Sequence, residues 1–158
     1  MTSSENLTLI YFKMRALAEP PQLLLNYAEI PYRYQMSWEY FDKPWNEVKP
    51  NIPFGQLPLL ITENGGQIAQ SGSIVRYIAY KANMLPSDSN LAAKIDSIFE
   101  TAHEMFFPLN PTVNFAVGRA YEEAKNTIID NVNSRLVNFE NILNDTSGGS
   151  FFLGENPY

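Results

Sequence analysis

Two adjoining stretches carry residue types and spacings that could hold a small charged ligand. Residues 53–58 read Pro-Phe-Gly-Gln-Leu-Pro and lead into the short apolar run Leu59-Leu60-Ile61. Pro58 stands ahead of that run, where a strand tolerates a residue without an N–H. A cis bond there would turn the Leu57 backbone outward, where it can pair with an extended peptide as an added strand does. Asn64-Gly65-Gly66 supplies the positive φ angles of a hairpin turn, and Gln67-Ile68-Ala69-Gln70 returns beside the first run. Ser71 is then expected as the N-cap of a helix with Ile74, Val75, Ile78 and Ala82 on its apolar face. A helix N-terminus offers unpaired N–H groups and a partial positive charge, so a carboxylate can settle there. The chemistry is capture of an anionic, peptide-like molecule. An ordinary β-hairpin followed by a capped helix has the same spacing.

Composition narrows what else the chain can do. With no cysteine there is no disulfide, no thiolate metal site and no cysteine nucleophile. A single histidine, His103, rules out zinc sites that need two. Any thiol that reacts here must arrive on the substrate. The net charge of −6, from 17 acidic and 11 basic residues, disfavours nucleic acid and anionic membranes as partners. Residues 1–6 are polar and no apolar run reaches membrane-spanning length, so neither signal peptide nor anchor is expected, and the cytosol is the expected location.

The elements that must position these stretches follow from periodicity. Leu7-Thr8-Leu9-Ile10-Tyr11-Phe12 is rich in strand formers. After a loop, Ala18-Glu19-Pro20-Pro21 suits the first turn of a helix whose stripe is Leu23, Leu24, Tyr27 and Ala28. Ile30-Pro31 turns the chain into the alternating strand Tyr32–Met36. Residues 37–51 read as a loop with one short helical turn, which would set Trp45 and Lys49, four apart, on one side. The order is βαβ–ββα, a thioredoxin-like α/β layout over residues 1–83. A linker over 84–90 leads into an all-α region over 91–158. There one helix carries Leu91, Ile95, Ile98, Phe99, Ala102 and Phe106 and ends near Pro108-Leu109-Asn110-Pro111. A second carries Tyr121, Ala124, Ile128, Val132, Leu136, Phe139 and Leu143 and stops at Gly148-Gly149.

Taken together, Pro53-Phe54-Gly55-Gln56-Leu57-Pro58, Gln70-Ser71 and Ile74-Val75-Arg76-Tyr77-Ile78 resemble the glutathione-site half of cytosolic glutathione transferases. The likeness is greatest to the sigma-type group, which includes the glutathione-dependent prostaglandin D synthases. It runs from Leu7 to Leu85 at the level of motifs and more loosely beyond. The family has further helices after the Asn156-Pro157 pair near the C-terminus, so the resemblance implies a C-terminally truncated chain.

The resemblance also assigns roles. Tyr11, with Phe12 beside it, would donate its hydroxyl hydrogen bond to the glutathione sulfur. Lowering a thiol from a pKa near ~8.5 to about 6.5–7 asks for roughly 2–3 kcal/mol of thiolate stabilisation. A charge-assisted hydrogen bond in a sheltered site supplies much of that. Trp45 and Lys49 would hold the glycine end, Gln56 with the Leu57 backbone and Pro58 the cysteinyl part, and Gln70 with Ser71 the γ-glutamyl carboxylate. Glu104, with Glu100 as runner-up, would reach the glutathione of a neighbouring subunit in a homodimer. His103 is read as structural or surface-exposed, and Phe106 and Phe107 as either packing or lining for a hydrophobic electrophile. Leu17 departs from the family, which usually has an arginine just before the Ala-Glu pair; Arg15 is the nearest candidate to cover that role. The resemblance implies no metal. It leaves conjugation, isomerase or peroxidase chemistry, and a non-catalytic crystallin-like module, as alternatives.

Overall fold

The computed structural model describes residues 7–145 and 151–154. The chain divides into two compact units, Met1–Asn83 and Met84–Tyr158. In the first, four strands form a mixed sheet in the order β2-β1-β3-β4. β1 (Leu7–Tyr11) pairs in parallel with β2 (Tyr32–Met36), Leu9 opposite Tyr34 and Tyr11 opposite Met36. It pairs antiparallel with β3 (Leu59–Ile61), which pairs antiparallel with β4 (Gln67–Ala69).

The apolar content of β1 explains its central place. Leu7, Leu9 and Ile10 are fully buried, as are Leu59 and Leu60 of β3. A strand covered on both faces reads as a continuous apolar run. Helices α1 (Glu19–Tyr27) and α4 (Ser71–Lys81) pack on each other, contributing Leu25, Ile74 and Ile78 to this core.

Three sequence expectations shift. In α1 the buried pair is Pro21 and Leu25, one turn apart, whereas Leu23 is 62% and Tyr27 60% exposed. The apolar run Leu23-Leu24-Leu25 fits several helical faces, and the tertiary neighbours choose among them. Residues 37–51 are more helical than a loop: α2 (Ser37–Phe41) and α3 (Trp45–Val48) are followed by single 3₁₀ turns at Lys49–Asn51 and Pro53–Gly55. Elements this short carry too little periodicity to read. In α4 the cap position is Gln70, not Ser71. Its carbonyl accepts the Ile74 N–H at 3.0 Å, so Ser71 is already the first helical residue.

The second unit contains α5 (Ser89–Asn114) and α6 (Gly118–Asp145), which pack on each other. α5 begins inside the stretch read as linker, because Asp88 caps it by accepting the Leu91 N–H at 2.7 Å. It also runs through Pro108 and Pro111 instead of ending there. Of the expected stripes, Ala102 is exposed, Leu136 is 48% exposed and Leu143 39%, and no residue of α6 is fully buried. A helix pair buries only its seam. The expected stop at Gly148-Gly149 and the Asn156-Pro157 pair lie outside the described residues. No helix among the described residues is long and apolar enough to cross a membrane.

Candidate functional site

Tyr11 ends the central strand, and its ring is nearly buried at 4% exposure. The following loop folds back so that the Leu17 N–H donates to the Tyr11 hydroxyl at 3.3 Å. Burial pushes the Tyr11 phenol above its ordinary value, and the Leu17 bond opposes that rise. Tyr11 is therefore a neutral phenol. A hydroxyl has one hydrogen and two lone pairs. With the amide on its acceptor side, the hydrogen is left to donate elsewhere. The sequence reading missed this contribution of position 17, because a main-chain donor has no residue type to signal it. Arg15, the nearest candidate for the family arginine's role, pairs with Glu19, its Nη2 lying 2.6 Å from Oε1.

Phe12 follows at the strand end and meets Trp45 edge to face, with ring centroids 5.4 Å apart. Trp45 opens α3, and the Lys49 N–H donates to the Trp45 carbonyl. One helical turn thus sets these side chains on the same side. The Lys49 side chain lies along Gly55, where an added β-carbon would sit 3.4 Å from both Cγ and Cε of the lysine. Gly55 has φ +58°, a conformation glycine adopts without the steric cost of a β-carbon.

Gln56 and Gln70 approach each other from the two loops bracketing the β3–β4 hairpin. Gln70 Nε2 donates to Gln56 Oε1 at 3.4 Å. Gln70 itself holds φ 71°, ψ 122°, an uncommon conformation for a side chain with a β-carbon. Its side chain makes no capping bond to α4. Ser71 is buried in the first turn, while Gln56 and Gln70 are exposed. The Leu57–Pro58 bond is cis, and both residues are buried at the entry to β3.

The remaining candidates lie in the second unit. Glu104 is exposed on α5, and Glu100 is half-buried. His103 sits between Phe99 and Phe107, with ring centroids 5.6 Å and 5.1 Å away. Phe107 is 58% exposed.

The family described as glutathione S-transferase, N-terminal domain, matches residues 7–80. Glutathione S-transferase 4 of Caenorhabditis elegans is 39% identical over 103 residues, 65% of this chain and 47% of that protein. Probable glutathione S-transferase 6 of the same organism is 30% identical over 151 residues, 92% of this chain and 70% of its own length. The chain belongs to the glutathione S-transferase family. The crystal structure of the glutathione S-transferase from Ascaris lumbricoides matches it with a TM-score of 0.78 at 26% identity, over 96% of this chain and 73% of that one. The chain thus spans about half the length of the first relative, 47%. The transferase match over 7–80 takes in Tyr11, Phe12, Trp45, Lys49, Gln56, Leu57, Pro58, Gln70 and Ser71; Glu104 falls beyond it.

Proposed function

We propose that this chain binds glutathione along the Tyr11–Ser71 surface and stabilises its thiolate through the Tyr11 hydroxyl, for attack on a hydrophobic electrophile. The observation that carries this reading is the Leu17 N–H on the Tyr11 oxygen, at 3.3 Å. It occupies the acceptor side of a neutral, buried phenol and leaves the hydrogen for the sulfur. Donation to a thiolate in a sheltered site is charge-assisted and strong.

The rest of the surface supports a tripeptide with two carboxylates. Lys49, steadied along Gly55, offers an ammonium to the glycine carboxylate, with the Trp45 indole one turn away. The α4 N-terminus begins at Ser71, where Gln70 makes no capping bond, and a carboxylate is favoured beside such a terminus, which suits the γ-glutamyl end. Gln56, bonded to Gln70, and the Leu57 backbone would take the cysteinyl part. The motifs favour the sigma-type subgroup, a cytosolic location and a homodimer, in which exposed Glu104 would reach the partner's glutathione.

Tyr11→Phe tests the reading. The thiol pKa of bound glutathione should rise, and the rate below pH 7 should fall by about thirtyfold, the equivalent of about 2 kcal/mol. An unchanged pH–rate profile would remove Tyr11 from this role.

A further inference from the structure

The carbonyl of Phe12 accepts two donors. Phe12 is the first residue beyond β1, and its oxygen takes the Met14 N–H at 2.8 Å and the Tyr34 hydroxyl at 3.1 Å. The first bond closes the turn that opens the loop over residues 12–18. The second fastens that turn to β2, where Tyr34 lies opposite Leu9 and Met36 opposite Tyr11. At the far end of the loop the Glu19 N–H closes on the Ala16 carbonyl at 2.9 Å, and the Leu17 N–H reaches the Tyr11 hydroxyl. Ala16 and Ala18 are buried, while Lys13 and Arg15 face solvent.

Tyr34 is half-buried, which pushes its phenol above the usual range. Tyr11, Glu19 and Tyr32, the titratable groups that act on it, push the same way. It stays a neutral donor wherever a thiol titrates. The one nearby cation of the loop that is paired, Arg15, is turned to Glu19. The start of the loop is thus held twice, by the Met14 N–H within its own turn and by a hydroxyl from the adjacent strand.

We propose that Tyr34 is a positioning residue for Tyr11: by holding the Phe12 carbonyl it sets the loop that places the Leu17 N–H on the Tyr11 hydroxyl, and so fixes the direction in which Tyr11 donates. The inference rests on the reading of Tyr11 as donor to the thiolate. A phenol hydrogen lies near the ring plane and has two directions to choose between; an amide on one side settles the choice.

Tyr34→Phe removes one oxygen and keeps the ring in the sheet. The thiol of bound glutathione would be titrated in the full chain by the ultraviolet absorbance of its thiolate, alongside kcat and KM for glutathione. The thiol pKa should rise by about half a unit, with about threefold less thiolate below it. KM for glutathione should hold, and amide exchange at Met14 and Leu17 should quicken. In a Tyr11→Phe background the second substitution should add no further shift. A Tyr34→Phe chain that melts earlier with an unmoved thiol pKa would make Tyr34 a packing residue and overturn the proposal, leaving the Tyr11 reading intact. A full-sized shift persisting in the Tyr11→Phe background would also overturn it, since Tyr34 would then act without Tyr11. An unshifted thiol pKa in the unsubstituted chain would overturn both readings together.

Discussion

In the proposed role Tyr11 works as a neutral phenol, and its surroundings set the sign of the pH dependence. Burial raises its pKa, so the protonated, donating form persists to higher pH than in water. The rate should climb as the thiol ionises and then hold level, with no loss from Tyr11 below the ordinary phenol value of 10.0. A pH–rate profile at saturating glutathione checks this; an alkaline decline beginning a full unit lower would contradict it. Gly55 gives a second prediction. Alanine there would meet a left-handed backbone, at a cost of about 1–2 kcal/mol, and would press on the Lys49 side chain. Urea unfolding should register the loss, and calorimetry should find glutathione binding weakened several-fold. Position 17 shows where reading side chains alone falls short. Leu17 looks like a lost arginine, yet what it supplies to Tyr11 is its main-chain N–H, which any residue except proline provides.

Among the elements, those with local signals were legible and those chosen by neighbours were not. Asn64-Gly65-Gly66 announces the hairpin, and the structure closes it with Asn64 Oδ1 accepting from the Gly66 N–H at 3.3 Å. The alternation of Tyr32–Met36 marks β2 to the residue. The face of α1 was not legible, because three consecutive leucines satisfy more than one stripe until α4 packs against it. Nor was the passage of α5 through two prolines, which intrinsic preference argues against. That helix offers a test at its start. Asp88→Ala deletes the bond to the Leu91 N–H and should cost about 1 kcal/mol of stability, while Asp88→Asn should retain most of it. Denaturant midpoints of the two variants separate a cap from a merely tolerated residue.

At the scale of the molecule, the candidate site is drawn from segments far apart in the chain: the end of β1, α3, the entry to β3 and the start of α4. Its motifs were legible because the order of those segments is itself a signature. Its fastenings, such as Gln70 to Gln56, became visible only once the sheet had brought them together. Glutathione at 100 times its Kd should stabilise a competent fold by about 2.7 kcal/mol. For a chain of this length melting as one, that is a rise of about 5–10 °C in Tm. A cooperative melt unmoved by glutathione would argue for a fold without the ligand. The edge-to-face contact of Trp45 with Phe12 carries one more consequence. Trp38 and Trp45 are the only two tryptophans, and Trp38 is 48% exposed. Excited at the red edge of absorption, where the nine tyrosines are silent, the fluorescence of the chain is therefore divided between a partly exposed indole and an indole beside the proposed glycine-end contact. Replacing Trp38 with phenylalanine would leave a single emitter there. Its colour and its access to a soluble quencher would then report occupancy of the surface directly, in a chain carrying no added dye.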